Sequence, residues 1–420
     1  MNDIDDRERG SAGQAQGGGM REGWQIRKLG DVCSLLNRGV SPAYLDKGGV
    51  CVLNQKCIRN HEVSYEPARR HDDAAKKVTE ERFIQRGDVL VNSTGTGTLG
   101  RVAQVRNEPE EDTTVDSHVT IVRAKPGLFH LEFFGYMLVV IEEAIKEAGD
   151  GCGGQTELAR SVLAERFSVS YPESLVEQQR IVALLDEAFA GLATAKANTE
   201  RNLRGARAIF ESHLQHVFSQ RGEGWVEKSL KEICEKITDG THQTPKYYSE
   251  GIVFLSSRNV TSGKIDWGNV KYIDNAQHLE MHRRVAPRRG DILLAKNGTT
   301  GVAAIVDRDK VFDIYVSLAH IRPLPVIRPQ LLLHFINSPV AKVQFNQRLK
   351  GVGVPNLHLE EIREVRLHFP EDLMAQDCLV AEVDELLEET QRLTHLYERK
   401  LAALEELKKS LLHQAFNGEL

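Results

Sequence analysis

The chain has 420 residues, 41% hydrophobic and 27% charged, a balance that fits a globular protein too long for one ordinary core and suited to two or three domains. Its apolar runs, such as YMLVV and LLLHF, fall far short of the roughly 20 residues that a membrane span needs. The net charge of −6 is concentrated: residues 371–420 hold 12 acidic against 5 basic side chains, leaving 49 basic and 48 acidic elsewhere, so total charge does not exclude a nucleic-acid surface.

Residues 1–22 are polar and Gly-rich with no apolar h-region, which excludes a signal peptide and predicts a disordered tail, with Met20 as an internal start. Six cysteines at 33, 51, 57, 152, 234 and 378 form no C-x-x-C pair or Cys/His ligand cluster. They read as buried or incidental thiols of a reducing cytoplasm, with no metal expected.

From residue 23 the chain repeats itself. GWQIRKLGDVCSLLNRGVSP (23–42) returns as GWVEKSLKEICEKITDGTHQTP (224–245), and GVCVLNQKCI (49–58) as GIVFLSSRNV (251–260). QRGDVLVNSTGTGTLGRVAQV (85–105) returns as RRGDILLAKNGTTGVAAIV (288–306), and YPESLVEQQRIVALLDEAF (171–189) as FPEDLMAQDCLVAEVDELL (369–387). The offset stays near 200, too long for a solenoid, and marks two domains of one kind. Within each, short Val/Ile-rich runs bounded by Gly or Asp predict strands: DVLVNS, GRVAQV and VTIVRA, then DILLAK, GVAAIV and LAHIRPL. LEFFGYMLVVIEEAIKEA and PQLLLHFINSPVAKVQFNQRL predict a helix near the end of each globular part.

After Pro172, apolar residues recur at spacings of 3 and 4 from Ile181 through Leu185, Leu192, Leu203 and Phe210 to Val217. After Pro370 they run from Leu379 through Leu386, Leu393, Leu401, Leu404 and Leu407 to Leu411. These are coiled-coil seams, with an extra step of 4 at the same place (195–199–203 and 393–397–401), a matched stutter that lets two such helices pair. Each spans about 40 residues, roughly 60 Å. The predicted fold is α+β: a tail (1–22), a globular domain (23–172), a long helix (173–219), a second globular domain (220–370) and a C-terminal helix (371–420), the helices pairing as an antiparallel coiled coil.

Gly95-Thr-Gly97-Thr-Leu-Gly100 spells the G-x-G-x-x-G of a dinucleotide turn. Such a turn needs a helix after it, whereas RVAQV reads as a strand. The second copy, KNGTTG, keeps Gly298 and Gly301 but loses the three-glycine spacing. A strand–turn–strand is therefore expected. No G-x-x-x-x-G-K-[ST] and no [DN]-P-P-[YFW] occurs, and GGQ at 153–155, His216 and His413 show no nucleophile–base grouping. No catalytic residue is assigned.

The order of these features, duplicated α+β units each followed by a long helix introduced by the YPESLVEQQ or FPEDLMAQD segment, resembles the specificity subunits of type I restriction–modification systems over residues 23–420. Ala375 and Asp377 depart from Glu177 and Gln179, while Gln178 and Gln376 match. The resemblance implies a non-catalytic reader of double-stranded DNA, each globular half being a target recognition domain for one half of an asymmetric, split target. The helices would set the spacing and dock two methyltransferase subunits, which would carry S-adenosylmethionine; no cofactor is expected in this chain, and restriction motor subunits belong to a cleaving system. The competing readings are a single-chain enzyme fusing recognition with methylation or cleavage, and a coiled-coil scaffold without DNA function.

Polar and basic residues at equivalent loops are the candidate DNA contacts, because Arg and Lys suit guanine or phosphate and Asn and Gln suit adenine edges. They are Gln55, Lys56 and Arg59 with Ser257, Arg258 and Asn259; Asn92, Ser93, Thr94 and Thr96 with Lys296, Asn297, Thr299 and Thr300; and Thr241, His242, Gln243 and Thr244.

Overall fold

The protein was analysed as a computed structural model that describes residues 22–149, 157–297, 299–349 and 356–420. The expected tail (but for Glu22), the GGQ run, Cys152 and Gly298 lie outside the described residues. The chain divides into two compact units, residues 1–197 with 402–420 and residues 198–401, so that each unit holds a globular part and a segment of both long helices.

The first unit runs β1 (Trp24–Lys28), α1 (Leu29–Val32), β2 (Cys33–Arg38), β3 (Tyr44–Leu45), β4 (Val50–Leu53), β5 (Ile58–Arg59), β6 (Glu62–Val63), β7 (Arg69–His71), β8 (Val89–Asn92), β9 (Val102–Gln104), β10 (Thr113–Val115) and β11 (Val119–Ala124). It continues through α2 (Leu131–Val140), α3 (Glu142–Glu147), α4 (Arg160–Glu165) and β12 (Ser168–Pro172) into α5 (Leu175–Ser219). An antiparallel sheet, β2-β11-β8-β9, faces a mixed sheet, β10-β4-β7-β3, and β1 pairs with β12. Strand β8 shows why its sequence is apolar without alternation: Val89 and Val91 enter the cluster beneath the helices, Leu90 the cluster between the sheets. A strand covered on both faces has no solvent side to make polar.

The second unit repeats this with β13 (Trp225–Ser229), α6 (Leu230–Ile233), β14 (Cys234–Asp239), β15 (Ile252–Leu255), β16 (Lys271–Ile273), α7 (Asn275–Arg284), β17 (Ile292–Ala295), β18 (Ala303–Ile305), β19 (Phe312–Ile314) and β20 (Leu318–Pro323). Then come α8 (Pro329–Asn337), α9 (Pro339–Arg348), α10 (Leu359–Arg363), β21 (Arg366–Pro370) and α11 (Leu373–Asn417). The sheets are β14-β20-β17-β18 and β16-β15-β19. Ile292 and Leu294 lie on the helix side of β17, Leu293 and Ala295 on the other. The single helix expected near the end of each globular part is two in both units. It breaks at Ile141 in one and at Ser338 in the other, where the Ser338 hydroxyl caps α9 just before Pro339.

In the first unit Ile181, Val182 and Leu185 of α5 and Leu412, Ala415 and Phe416 of α11 share one core with α2, and Lys196 pairs with Glu405 at 2.6 Å, an antiparallel order. In the second unit Leu214, Val217 and Phe218 pack with Val383, and Arg207 pairs with Glu398 at 3.2 Å. Leu185 is buried, whereas Leu192, Leu203, Phe210, Leu386, Leu393, Leu401 and Leu404 are half-buried. Leu407 is corrected: it is exposed, and the stripe passes from Leu404 to Lys408, whose ammonium lies 5.3 Å from the Phe189 ring centroid. A straight helix needs a step of 4 there to stay on the seam, and the aliphatic stem of a lysine can serve as the apolar group.

Both long helices are fastened to their globular parts by a matched side chain. Gln178 is fully buried; its Oε1 accepts the His130 N–H at 2.8 Å and its Nε2 donates to the Leu128 and Pro172 carbonyls at 3.2 and 2.9 Å. Gln376 accepts from Arg328 N–H at 2.8 Å and donates to the Val326 and Pro370 carbonyls at 3.0 and 2.9 Å. Tyr136 bonds Asp186, and His334 bonds Asp384, one step further along. Replacing Gln376 with the similarly sized Met leaves three backbone partners unpaired in a dry site. It should cost about 2–4 kcal/mol in chemical denaturation, while Glu177→Ala, at a position that is alanine in the other copy, should cost under about 1 kcal/mol.

Candidate nucleic-acid interface

In the first unit the chain leaves β4 through Asn54, whose Oδ1 accepts the Lys56 N–H at 2.9 Å and whose Nδ2 donates to the Pro67 carbonyl at 2.7 Å. This capped turn carries Gln55 and Lys56. The glycine loop leaves β8 beside it and returns as β9, antiparallel, with Val91 opposite Val102. It is a strand–turn–strand with Gly95, Gly97 and Gly100 at φ of 106°, 76° and 79°, a region that costs little only for glycine. Among the described residues no helix N-terminus stands there to take a pyrophosphate.

A cleft of about 270 Å³ opens beside this turn, lined by Tyr44, Gln55, Lys56, Arg69, Asp116 and His118. Arg69 on β7 stacks 4.5 Å from the ring centroid of the exposed Tyr44. Thr94 Oγ1 and His118 Nδ1 are 2.7 Å apart. Burial raises the Asp116 carboxyl above its ordinary range, against the pull of the His118 N–H.

The second unit repeats the frame with other side chains. Lys271 on β16 lies 3.9 Å from the Tyr247 centroid, in the register that Arg69 occupies on β7: Val52 faces Arg69 and Phe254 faces Lys271. Arg258 is exposed where the first unit has Lys56, and the Ser257 N–H donates to Ser317 Oγ at 3.0 Å. Thr241 and Gln243 close a small turn, the exposed His242 lies 3.3 Å from Asp239, and Thr244 reaches Tyr315 at 3.4 Å. In both units the start of this segment is a glycine that no other residue can replace: a Cβ on Gly39 or Gly240 would stand 1.8 or 1.9 Å from the carbonyl oxygen of Val115 or Ile314.

The structure separates the expected contact residues. Asn92 is fully buried, its Nδ2 donating to the Gln55 and Thr98 carbonyls at 3.1 Å each, and Ser93 is buried against Thr120. Asn259 is buried, holding its own turn through Ser256 N–H at 2.9 Å and the Asn269 carbonyl at 2.9 Å. Lys296 is buried in an ion pair with Asp239 at 2.7 Å. Burial would raise the Asp239 carboxyl, yet Lys296 and His242 hold it below its usual range. These four build the interface from beneath. Gln55 is half-committed, its Oε1 accepting from Thr98 at 2.8 Å, and Thr300 Oγ1 donates to the Lys296 carbonyl at 3.2 Å. Asn297 bridges to Asn356, while Thr96 and Thr299 are exposed. Arg59 stands apart from the cleft, lining a different cavity with Arg101, Lys146 and Lys408. Tyr44, Arg69, Tyr247 and Lys271 escaped the sequence reading. The tyrosines of SPAY and TPKYY stand at matched places, but their basic partners lie on a neighbouring strand far along the chain.

The two RGD[VI]L segments prove to be brackets. Asp88 and Asp291 each accept a backbone N–H three residues earlier, Gln85 and Arg288, at 2.9 Å, and each grips an arginine of the neighbouring strand, Arg123 and Arg322. Burial raises the Asp88 carboxyl. Asp291 is buried too, but added hydrogen bonds from His320 and Arg322 bring it down to about 2. Burial pushes the Cys33 and Cys234 thiols up to about 12, which leaves them protonated and inert. Among the described residues one group, His278, His282 and Asp313, brings three ligand atoms within 4.8 Å, where the sequence reading expected no metal. No helix among them is long and apolar enough to cross a membrane.

Residues 21–201 match the family model described as the type I restriction modification DNA specificity domain. The chain is 26% identical over 202 residues to the type I restriction enzyme EcoBI specificity subunit of Escherichia coli. That match spans 47% of this chain and 42% of the relative. It is 21% identical over 257 residues to the type I restriction enzyme MjaVIII specificity subunit of Methanocaldococcus jannaschii, over 59% of this chain and 58% of the relative. The chain thus spans about half the length of the curated relatives it matches. In fold it is similar to a chain from the structural study of complex assembly and conformational transition of the type I R-M system, with TM-score 0.78 at 17% identity over 96% of this chain and 100% of the other. It is also similar to the HsdS subunit from Thermoanaerobacter tengcongensis, with TM-score 0.58 at 17% identity over 96% and 98%.

The bracket makes a pH prediction. A carboxyl held below its unfolded value stabilises fully above pH 4 and loses that contribution as pH falls through about 2. Unfolding measured across this window should show a loss on the order of 1–2 kcal/mol that Asp291→Asn abolishes. An unchanged acid limb in the variant would remove Asp291 from this role.

Proposed function

We infer that this chain, whose residues 21–201 match the type I restriction modification DNA specificity domain, reads DNA sequence for a complex whose chemistry is done by other subunits. The observation that carries this reading is the duplicated cleft frame. Both units place a tyrosine–cation pair, a turn bearing an exposed basic residue and a polar loop on the same scaffold, and fill it with different side chains. One scaffold with two sets of contact groups suits one duplex presenting two half-sites, so the target is split and asymmetric. Arg69 and Lys271 serve the phosphates, while Gln55, Lys56, Arg258 and Thr241 to Thr244 are placed to meet base edges.

The catalytic partner is a methyltransferase present in two copies, which brings S-adenosylmethionine, and α5 and α11 are the platform on which it docks. A cleaving system adds the restriction motor subunits. This chain contributes no catalytic residue.

The test is binding of the chain, assembled with its methyltransferase partner, to duplex DNA across a salt series. Arg69→Ala and Lys271→Ala should each weaken binding about 5- to 10-fold regardless of sequence and reduce the salt slope by about 1. Lys56→Ala should instead relax preference in one half-site, Arg258→Ala in the other. Absence of DNA affinity in the assembled complex, or methyl transfer by this chain alone, would overturn the reading.

A further inference from the structure

The two units differ most sharply beside β19. In the first, the central residue of the matching strand β10 is Thr114, whose hydroxyl donates to the Arg82 carbonyl at 2.7 Å. In the second, that place is Asp313, 1% exposed, and above it lies α7. His278 and His282 stand one helical turn apart, so both project from one face of α7. His278 Nδ1 is 2.7 Å from Asp313 Oδ2 and His282 Nδ1 is 3.2 Å from Oδ1, with the two rings 4.6 Å apart. The neighbours of Asp313 on the strand, Phe312 and Ile314, enter the hydrophobic core. Arg284, at the end of α7, is engaged by Asp239 at 2.7 Å.

A carboxyl group buried this deeply needs partners that satisfy both of its oxygens. We propose that His278, His282 and Asp313 form a binding site for a divalent transition-metal ion, zinc in the cell, that clamps α7 onto β19. Two imidazole nitrogens and one carboxylate oxygen are a donor set for Zn²⁺ or Co²⁺. Ca²⁺ and Mg²⁺ require oxygen donors. The three ligand atoms already lie within 4.8 Å. Metal–ligand bonds of about 2.0–2.2 Å put tetrahedral ligand atoms roughly 3.3 Å apart. His282 Nδ1, 3.2 Å from the carboxylate, already stands at that spacing, and His278 Nδ1, at 2.7 Å, must draw back slightly to admit an ion. A cleft of about 220 Å³, lined by Thr241, His242, Glu280, Arg284 and Asp313, adjoins the site and can supply water as the remaining ligand. The metal is structural: it fixes α7, which has no counterpart among the described residues of the first unit, behind the Thr241–Gln243 turn of the second unit.

The full-length chain, stripped with chelator, is titrated with Co²⁺ and, in competition with a chromophoric chelator, with Zn²⁺. One equivalent should bind with submicromolar affinity, Co²⁺ giving the visible absorption of a low-coordinate site, and saturating Zn²⁺ should raise the Tm by several degrees. His282→Gln should weaken Zn²⁺ binding at least 100-fold and remove the Co²⁺ bands. Asp313→Thr, which installs the residue of the other copy, should do the same while circular dichroism confirms the fold; His413→Gln should change nothing. Failure of the wild-type chain to bind Zn²⁺ or Co²⁺, binding unaltered in both variants, or a Tm that ignores metal and chelator would overturn the proposal, leaving the imidazoles as hydrogen-bond partners of the carboxylate.

Discussion

Everything in this fold hangs on the attachment of a long helix to a small sheet domain, and that attachment is a buried amide. A glutamine whose oxygen takes one backbone N–H and whose nitrogen serves two carbonyls ties two segments of chain to the first turn of the helix: the turn before α2 or α8 and the end of β12 or β21. The environment is dry, so every one of these bonds is expensive to leave unmade. No carboxylate could replace the amide, since it cannot donate. No aliphatic residue could either, since it would strand the backbone groups.

That geometry explains which differences between the copies are tolerated. Glu177, next to the glutamine, pairs with Arg180 on the surface and is Ala375 in the other copy. Asp377 stands where Gln179 does and forms its own ion pair with Arg328 at 2.7 Å. Surface pairs of this kind contribute little and can be exchanged. Beneath the clefts the same logic applies with higher stakes. Arg38 meets Glu157 at 2.6 Å in a partly exposed pair of the first unit, whereas its counterpart Asp239 meets Lys296 at 2.7 Å in a buried pair of the second, so the charge at this place has reversed and each finds a partner of its own. A scaffold that keeps its buried groups satisfied while renewing its exposed ones suits the reading role proposed for the two units.

Much of this was legible in the sequence because it is periodic or repeated. The duplication, the apolar strands and the two long stripes follow from counting, and STGTGTLG beside KNGTTG excludes a dinucleotide turn by spacing alone. What stayed hidden depends on contacts between residues far apart in the chain. Asn92 and Lys296 look like exposed loop residues until Gln55 and Asp239 are brought to them. Arg59 looks like a neighbour of Lys56, yet two residues of strand turn it toward another cavity. Arg69 and Lys271 acquire their place only through strand pairing with β4 and β15, and Asp313 meets its histidines across about thirty residues of chain. The seam itself drifted where the matched spacing stopped being informative, at Leu407 and Lys408, because a lysine stem can occupy an apolar position without looking apolar.

The central claim is that two differently furnished units read two halves of one target for a separate methylating partner. Methylome sequencing of cells with and without this chain, and with a chain whose residues 23–172 are exchanged for those of a relative, tests it most directly. The account predicts a bipartite, asymmetric methylated sequence that appears only with the chain, and of which one half alone changes on the exchange. Methylation indifferent to the chain, or an exchange that alters both halves together, would contradict it.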